Sequence, residues 1–345
     1  EKAQPQITVR VGYQPYMTYY NWIWAYEKGW FPPNIKVEFK KYLSGVPQMY
    51  DYAAGKIDFA MHGTTPVIIS HVRKIADVKI IAVMYIFGLD IIVPPDSPIK
   101  TVADLKGKTI ALRLGTALEI FLDMALMQYG LTPENVTMID MESADAKAAL
   151  MAGRVDAAIM DLPFEYSLIK KGYRVVISAT EVPGACDPNI ISVRADFAKE
   201  HPDIVYTMLD IWFKVADYWY KHPDEAIDWL TKRMSEDLGI SLTRDYIAWI
   251  WDKCTKETLE TNLKIWFNHT HPRNLWMTDQ RYADILFHLG RIPAPVDVTA
   301  FIDDTFVKGL ANIKMRAENA IKDAEKAINE ALNCLLYTSD AADDG

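Results

Sequence analysis

The sequence has few of the features that mark several large classes of protein. Its 345 residues include three cysteines, which lie far apart and show no spacing typical of a metal site or a redox motif. Lysine and arginine form no block and the formal net charge is −9, so binding to nucleic-acid phosphates is not expected. No apolar run reaches the roughly 18 residues of a membrane-spanning helix. These absences predict a globular protein with no metal site and no nucleic-acid partner.

Common catalytic motifs are missing as well. The chain has no Gly-x-Ser-x-Gly nucleophile turn, Walker loop, HExxH zinc motif or GxGxxG dinucleotide loop. Cys186 and Cys254 are expected to be inert thiols in the protein interior. We therefore predict that the protein is not an enzyme and needs no cofactor.

What the chain does have is an alternation of strands and helices over its first 190 residues. Short apolar runs separated by helical patterns predict right-handed βαβ units and mainly parallel sheets, an α/β fold. Strands are predicted at residues 7–12, 35–40, 57–62, 78–86, 89–93, 109–114, 136–140, 155–160 and 173–178. Helices are predicted at residues 22–29, 46–54, 65–74, 102–106, 117–129, 143–152 and 163–171. Ligands of such sheets bind outside the carboxyl ends of the strands.

After residue 195 the pattern becomes helical. The segment "HPDIVYTMLDIWFKVADYWYK" carries a one-faced apolar stripe, and "HPDEAIDWLTKRM" opens in the same way. Further helices are predicted at 243–253, 278–289 and 311–333. Residues 334–345 contain "CLLYTSDAAD", which reads as the translation of an adapter from DNA library preparation, so we exclude them and Cys334 from the predicted fold. The opening "EKAQPQ" has no starting methionine, so we expect either that a signal peptide has been removed or that the sequence is incomplete at this end.

Two breaks divide the α/β part of the chain. The segments "VPPDSP" at 93–98 and "EVPGACDPN" at 181–189 bracket a block with its own strand–helix alternation. We predict a first lobe over residues 1–91, a second lobe over 92–188, a mostly helical return to the first lobe over 189–310, and a terminal helix over 311–333. Two connections, near 91–95 and 185–190, would then form a hinge. The cleft between the lobes becomes the expected ligand site.

Three stretches give the chain a family resemblance. They read "YLSGVPQMYDYAAGKIDFAMHGTTP", "PPDSPIKTVADLKGKTIALRLGTALEIFLDMAL" and "SADAKAALMAGRVDAAIMDLPF". Together and in this order they resemble the substrate-binding proteins of ABC importers, in the branch that binds sulfonates, nitrate and taurine. The resemblance implies the two-lobed periplasmic binding protein fold of the second type. It also implies a small anionic or zwitterionic ligand, a membrane permease as partner and an extracytoplasmic location, with or without a lipid anchor; we expect a monomer.

Two strand ends are the first candidates for the ligand site. Gly63, Thr64 and Thr65 end one strand and open a helix, and Gly115 and Thr116 do the same in the second predicted lobe. Backbone N–H groups and the dipole of a helix N-terminus can hold an anion without any lysine. The alternative is that both are ordinary strand-to-helix turns, in which glycine and threonine are common.

A second group of candidates lies near the ends of the first two strands. Ser44 and Gly45 match a ligand-contact loop of the resembled family, although this loop can also cap the helix that starts at residue 46. Gln14 can donate an amide hydrogen bond to an anion or can belong to a plain turn. These three residues complete the expected polar contacts from the first lobe.

Aromatic residues crowd the first loop and helix. Tyr13 and Tyr16 are possible ligand contacts, since an aromatic wall can stack on a ring or surround a cation, although about half of the local aromatics are expected in the core. His62, at a strand end, is either a ligand contact or a hydrogen-bonded core histidine, and the second is favoured.

Two acidic residues bear on the far end of the ligand. Asp161 lies where the resembled family places an aspartate near the cleft, and Glu119 lies where that family often has histidine. Acids beside an anion site suit a zwitterion such as taurine better than nitrate or a plain alkanesulfonate, because like charges repel. The alternative is that Glu119 complements its helix dipole and Asp161 caps the next helix.

Other functions on the same fold define the alternatives. A thiamine-pyrimidine synthase shares the fold but carries a cysteine-rich signature, which the chain lacks, and a thiamine-pyrimidine-related binding protein is a further alternative. The effector domain of a transcription regulator would carry a helix-turn-helix before the first strand. A sensor of nitrate or of an aromatic acid would use the same cleft.

Overall fold

A computed structural model of the chain describes residues 6–340 apart from residues 43, 87, 115, 161, 186 and 187. Its strands form two five-stranded sheets, with the orders β2-β1-β3-β10-β4 and β7-β6-β8-β5-β9. The strands are β1 (Ile7–Tyr13), β2 (Ile35–Lys41), β3 (Phe59–Gly63), β4 (Val78–Tyr85), β5 (Asp90–Val93), β6 (Thr109–Leu112), β7 (Thr137–Asp140), β8 (Ala157–Ala158), β9 (Arg174–Ser178) and β10 (Asn189–Arg194). Each predicted strand corresponds to one of these.

The helices alternate with the strands up to residue 170 and then dominate. They are α1 (Asn21–Glu27), α2 (Val46–Ala53), α3 (Thr65–Arg73), α4 (Ala117–Gln128), α5 (Ser143–Met151), α6 (Leu162–Ile169), α7 (Ala195–Glu200), α8 (Pro202–Lys221), α9 (Pro223–Leu238), α10 (Arg244–Lys253), α11 (Leu259–Thr261), α12 (Leu275–His288) and α13 (Thr305–Asp340). The predicted helix at 102–106 is a short 3₁₀ turn, Val102–Leu105. The terminal helix begins at Thr305 rather than at residue 311, and it extends past the predicted end at 333 to Asp340.

The sheets are mixed, so the prediction of mainly parallel sheets was incomplete. In the first sheet β1 pairs in parallel with β2 and β3, whereas β10 runs antiparallel between β3 and β4. In the second sheet β6 pairs in parallel with β7 and β8, whereas β5 runs antiparallel between β8 and β9. Each of the reversed strands, β5 and β10, is the first strand after the chain passes from one sheet to the other.

The prediction missed β10, although this strand lies inside the first sheet. Its sequence "NIISVR" is fully buried except at its last residue. The run follows the proline- and aspartate-rich segment at 181–189, which the prediction treated as a linker, and it leads straight into a helix. An apolar run of this length between turn residues is typical of a buried strand.

The chain passes between the sheets twice. The first crossing covers residues 86–89 and the second covers residues 179–188, so the predicted hinge at 91–95 lies too far along the chain, within β5 and beyond. The crossings contact each other, because the Ala179 N–H donates to the Leu89 carbonyl over 2.7 Å. A side chain at Gly88 would meet Ser178, since a Cβ there would lie 1.9 Å from Oγ. The two crossings are therefore close neighbours, as a hinge requires.

The C-terminal helices cover the first sheet with large aromatic side chains. The ring N–H of Trp22 in α1 donates to the Met208 carbonyl in α8 over 2.8 Å, and both side chains are buried. A Cβ at Gly309 of α13 would lie 2.3 Å from the Tyr206 hydroxyl, so α13 packs closely on α8. Within the described part of the chain, no helix is long and apolar enough to cross a membrane.

Candidate functional site

A polar cavity lies at the edge of the first sheet where β1, β3 and β4 end and β10 begins. Its volume is about 210 Å³. The lining residues are Gln14, Tyr16, Tyr19, Gly63, Tyr85, Leu89, Ala117, Ala179, Ala185 and Asn189. Ala117 is the first residue of α4 from the second sheet, and Leu89 and Ala179 belong to the crossings, so both halves of the chain contribute. None of these lining residues is charged.

The polar groups of this cavity suit an anion. Gln14 is nearly buried, and its amide nitrogen lies 3.3 Å from the Met61 carbonyl. The Asn189 side-chain oxygen accepts a hydrogen bond from the Tyr19 hydroxyl, which turns the amide N–H₂ of Asn189 away from that contact. Amide N–H groups are donors and, in the absence of a cation, hold an anion by dipoles alone.

Two helices begin beside the cavity. Helix α3 starts at Thr65, two residues after the lining residue Gly63, and α4 starts at the lining residue Ala117. The N-terminus of a helix carries a partial positive charge and N–H groups outside the intrahelical ladder. One such helix end comes from each sheet, so an anion bound between them interacts with both.

A second, apolar cavity adjoins the first. Its volume is about 340 Å³, and it shares Tyr16, Tyr85 and Leu89 with the polar cavity. The other lining residues are Pro15, Met17, Leu162, Met234, Leu238, Ile240, Leu242, Tyr246, Ile250 and Cys254. Most come from α9, α10 and the connection between them. The two cavities therefore form a polar and an apolar compartment with common walls.

Several predicted site residues lie at or beside the polar cavity. Gln14, Gly63 and Tyr16 line it directly. Thr64 is buried and Thr65 is partly buried, and they follow Gly63 at the start of α3. Gly45 packs against this helix end, because a Cβ there would lie 2.5 Å from Cγ of Pro66. The strand end that opens α3 and the loop that opens α2 are thus brought together.

Two of the remaining polar candidates, Thr116 and Ser44, are not among the residues that line the polar cavity. Thr116 caps α4, since its hydroxyl accepts from the Leu118 N–H over 3.2 Å and donates to the Arg113 carbonyl over 2.7 Å. Ser44 is exposed and does not line the cavity. Gly115 and Asp161 lie outside the described residues. The Thr116 hydroxyl therefore stabilises the start of α4, as in an ordinary strand-to-helix turn, and its role in ligand binding stays a prediction.

Two candidates, Tyr13 and Glu119, form contacts away from the polar cavity. The Tyr13 hydroxyl donates to Asp237 of α9 over 2.8 Å, and burial together with this carboxylate raises its pKa to about 12. Glu119 forms an ion pair with Arg291 over 3.3 Å. Neither residue lines the polar cavity.

His62 is a core histidine. Its Nδ1 lies 2.7 Å from the Gly63 carbonyl and its Nε2 lies 2.7 Å from the Ser192 hydroxyl of β10. Burial lowers its pKa from 6.5 to about 4, so the ring is neutral at pH 7. Of the two interpretations from the sequence, the structure matches the hydrogen-bonded core histidine.

Sequence reasoning did not single out Tyr85 and Asn189 as site residues and assigned Tyr19 no individual role. Tyr19 and Tyr85 are buried against each other, with ring centroids 5.9 Å apart. Asn189 opens the missed strand β10, and Tyr85 closes β4. The sequence signal that could have identified them is a polar or aromatic residue at the strand end beside the cavity, Tyr85 at the end of β4 and Asn189 at the start of β10. For Asn189, this signal requires that β10 be recognised as a strand.

Two features that would indicate chemistry are a reactive Cys254 thiol and a cluster of metal-binding side chains. Cys254 lines the apolar cavity, and burial raises the pKa of its thiol to about 12. A thiol with such a pKa stays protonated at neutral pH and is a poor nucleophile. Among the described residues, no group of three or more His, Cys, Asp or Glu side chains could hold a metal ion. Cys186 lies outside the described residues.

The chain matches a known protein-family model and several named proteins. Residues 17–226 match the family model described as NMT1/THI5 like. A Bacillus subtilis protein provisionally named as aliphatic sulfonates-binding is 31% identical over 82% of this chain and 82% of its own length. The taurine-binding periplasmic protein of Escherichia coli is 24% identical over 54% of this chain and 61% of its own length.

Solved structures share the architecture. The periplasmic aliphatic sulphonate binding protein SsuA of Escherichia coli matches with a TM-score of 0.72 at 23% identity, over 88% of this chain and 99% of that one. The desulfurization enzyme DSZB matches with a TM-score of 0.60 at 17% identity, over 90% of this chain and 100% of that one. The periplasmic binding protein fold predicted from the sequence is thereby confirmed. The chain belongs to the NMT1/THI5-like family, which confirms its predicted kinship with sulfonate-binding proteins.

Proposed function

We propose that the protein is the solute-binding component of an ABC importer and captures a small organic anion in the polar cavity. One observation carries this proposal: uncharged side-chain donors beside the first sheet and the N-terminus of α4 from the second sheet line a cavity of about 210 Å³, and α3 begins two residues after its lining residue Gly63. Donors of this kind hold an oxyanion, and the lack of a lysine or arginine among the described lining residues favours release of the ligand to a permease. The relatives named for sulfonates and taurine make a sulfonate the first ligand class to test.

The two sheets belong to two lobes that close on the ligand. The proposed first lobe contains the first sheet and the C-terminal helices, and the proposed second lobe contains the second sheet. The crossings at 86–89 and 179–188 form the hinge. An anion that touches α3 and α4 at once stabilises the closed arrangement, because each helix end contributes its own dipole. The protein acts as an extracytoplasmic monomer and meets its permease at the membrane.

An enzymatic function on the same fold is the rival proposal, because the desulfurization enzyme DSZB is a structural neighbour. A thiol nucleophile would need a lowered pKa, whereas burial raises that of Cys254. Binding without chemistry therefore accounts better for the described residues.

The proposal is tested by calorimetry at pH 7 with ethanesulfonate, taurine, nitrate and bicarbonate. Binding of at least one sulfonate is expected. Gln14→Ala should then raise the dissociation constant of that sulfonate about tenfold, because a hydrogen bond to a charged group is worth about 1.5–3 kcal/mol. Gln128→Ala, at the exposed end of α4, is the control and should leave binding unchanged.

The outcomes separate the parts of the proposal. Equal affinity of Gln14→Ala and the parent for a sulfonate would remove the polar cavity from the site. Binding of nitrate or bicarbonate alone would assign the protein to another ligand class, and release of sulfite from any sulfonate would make it an enzyme.

A further inference from the structure

We propose that the protein has a second ligand site, a groove between α4 and α12 that binds an organic cation with an apolar group. The groove has a volume of about 510 Å³, and its lining includes Asp123, Met124 and Met127 of α4 and Arg281, Ile285 and His288 of α12. None of the described residues that line this α4–α12 groove also lines the polar or the apolar cavity. The inference therefore goes beyond the proposed function and does not depend on it.

The α4–α12 groove lies between the two halves of the chain. Helix α4 follows β6 of the second sheet, and α12 belongs to the C-terminal helices. The second crossing packs beside the groove, because a Cβ at Gly184 would lie 3.1 Å from Cε of Met124 and 3.4 Å from Cδ of Arg281. Two lining side chains are therefore held in place by the crossing, which gives the groove a defined shape.

The feature that points to a cation is the Asp123 carboxylate. Only 8% of the surface of this residue is exposed, and its Oδ1 is buried without a hydrogen-bond partner. A buried carboxylate ordinarily accepts hydrogen bonds or pairs with a cation, because removing its charge from water is costly. Because Asp123 lines the groove, an ammonium group bound there would supply the missing partner.

The charges around Asp123 favour a cation as well. Burial raises the pKa of Asp123 to about 6, and the neighbouring Glu119 and Glu134 add to the rise. Arg281 and His288 line the same groove but do not counter this rise. At pH 7 most Asp123 side chains are still ionised, so the negative charge is present. A bound cation would offset the repulsion between this charge and its acidic neighbours.

The other acids near the groove already have partners. The Gln280 side-chain amide donates to Oδ1 of Asp284 over 2.9 Å. Glu119 forms its ion pair with Arg291 over 3.3 Å. Asp123 has no such partner among the described residues, so it is the acid on which a ligand would act.

Apolar side chains beside Asp123 determine what the cation carries. Met124, Met127 and Ile285 line the groove, and 66% of the Met127 surface is exposed. Methionine side chains are flexible and pack well against alkyl groups and aromatic rings. A cavity of ~150 Å³ is large enough for benzene, so this groove has room for a ring and a short chain. Among the described residues no acidic cluster could hold a metal ion, and we therefore infer an amine with an aromatic or alkyl group.

The test compares three small molecules by calorimetry at pH 7 on the full chain, without any sulfonate. The ligand 2-phenylethylamine carries both the ammonium group and the ring, whereas 2-phenylethanol lacks the charge and ethylamine lacks the ring. We expect 2-phenylethylamine to bind about tenfold more tightly than either of the others. A hydrogen bond to a charged group and the burial of a ring each give a gain of about this size.

Two pairs of variants locate the site. Asp123→Asn keeps the size of the side chain and should weaken binding of 2-phenylethylamine about tenfold, because the charge is lost. Asp145→Asn, at an exposed position in α5, is its control and should leave binding unchanged. Met127→Ser changes an exposed side chain of the groove and should weaken binding about threefold, whereas Met151→Ser at the end of α5 should not. Thermal unfolding of all variants checks that they fold.

Each other result would overturn the inference. Absence of 2-phenylethylamine binding, or equal affinity for 2-phenylethylamine and 2-phenylethanol, would mean that the groove selects no cation. Equal affinities of Asp123→Asn and Asp145→Asn would remove Asp123 from the site. A loss of amine binding in Gln14→Ala, with Asp123→Asn unaffected, would place the amine in the polar cavity instead. None of these results bears on sulfonate binding, so the proposed function would stand in every case.

Discussion

The two sheets have the same strand topology but are stabilised by different kinds of packing. The first sheet lies under α1 and α8, whose buried side chains include Trp22, Trp212 and Trp219. One face of the second sheet packs a separate core of nine residues, four of which are alanines. Its edge strand β7 has no fully buried residue. A fold repeated twice in one chain thus need not be equally stable in both copies.

The second sheet, whose separate core contains small side chains, also has a buried ion cluster at its junction with the C-terminal helices. The Lys253 ammonium at the end of α10 lies 2.5 Å from Asp90 of β5 and also contacts Glu165 of α6. Burial and the neighbouring Asp90 raise the pKa of Glu165, and Lys253 opposes that rise. The ring centroid of Tyr166 also lies 5.2 Å from that of Tyr246 and 5.2 Å from that of Trp249, both in α10. The second sheet thus joins the C-terminal helices through a buried ion cluster in addition to aromatic contacts.

The strongest test of this difference between the two sheets is to remove the Lys253 ammonium from the ion cluster. Lys253→Met leaves two buried carboxylates without their partner, so the free energy of unfolding should fall by about 3–5 kcal/mol at pH 7. Urea unfolding followed by tryptophan fluorescence measures the loss. Lys264→Met, which removes the exposed ion pair with Glu260 four residues earlier, is the control and should cost less than about 0.5 kcal/mol. Equal small losses in both variants would contradict the role given to the cluster.

The next effect tests a polar group in the core of the first sheet. The folded-state pKa of His62 is lowered to about 4, below its ordinary value of 6.5. The folded state therefore binds a proton less readily than the unfolded state, and stability from this group is present above pH 6.5 and is lost as the pH falls towards 4. The full loss is about 3 kcal/mol.

Urea unfolding between pH 7 and pH 4 compares the parent with His62→Gln. The difference in stability between the two should shrink as the pH falls, because the variant lacks the titrating ring. His288→Gln, at an exposed position in α12, should follow the parent at every pH. Parallel curves for the parent and His62→Gln would contradict the assignment.

The smallest effect concerns the crossings that connect the two sheets. Gly88→Ala places a Cβ about 1.9 Å from the Ser178 hydroxyl oxygen, so either this hydroxyl or the backbone must move to accommodate it. We expect a loss of about 1–2 kcal/mol in the free energy of unfolding. Ser178→Ala in the same chain removes the clashing oxygen and should restore most of the loss. An additive double variant, with no restoration, would mean that the crossings do not constrain each other.

Much of the fold follows from local pattern. The spacing of apolar residues over 7–178 predicted the strands and helices there, because this spacing shows whether one face of a strand or of a helix is buried. The glycine and threonine that follow β3 predicted a helix start beside a strand end, and Gly63 lines the polar cavity. The run "NIISVR" had the right composition for a strand, but the turn residues before it concealed its place between β3 and β4.

By itself, the sequence determined the α/β class, the family, most elements and the strand end at Gly63 that lines the polar cavity. Only the tertiary structure decided which candidates reach that edge. Tyr13 and Tyr16 are three residues apart and equally aromatic, yet Tyr13 is bound to Asp237, more than two hundred residues later, while Tyr16 faces the cavities. The apolar cavity likewise combines residues from position 15 to position 254. Contacts over such separations arise from packing of whole elements, and no local periodicity encodes them.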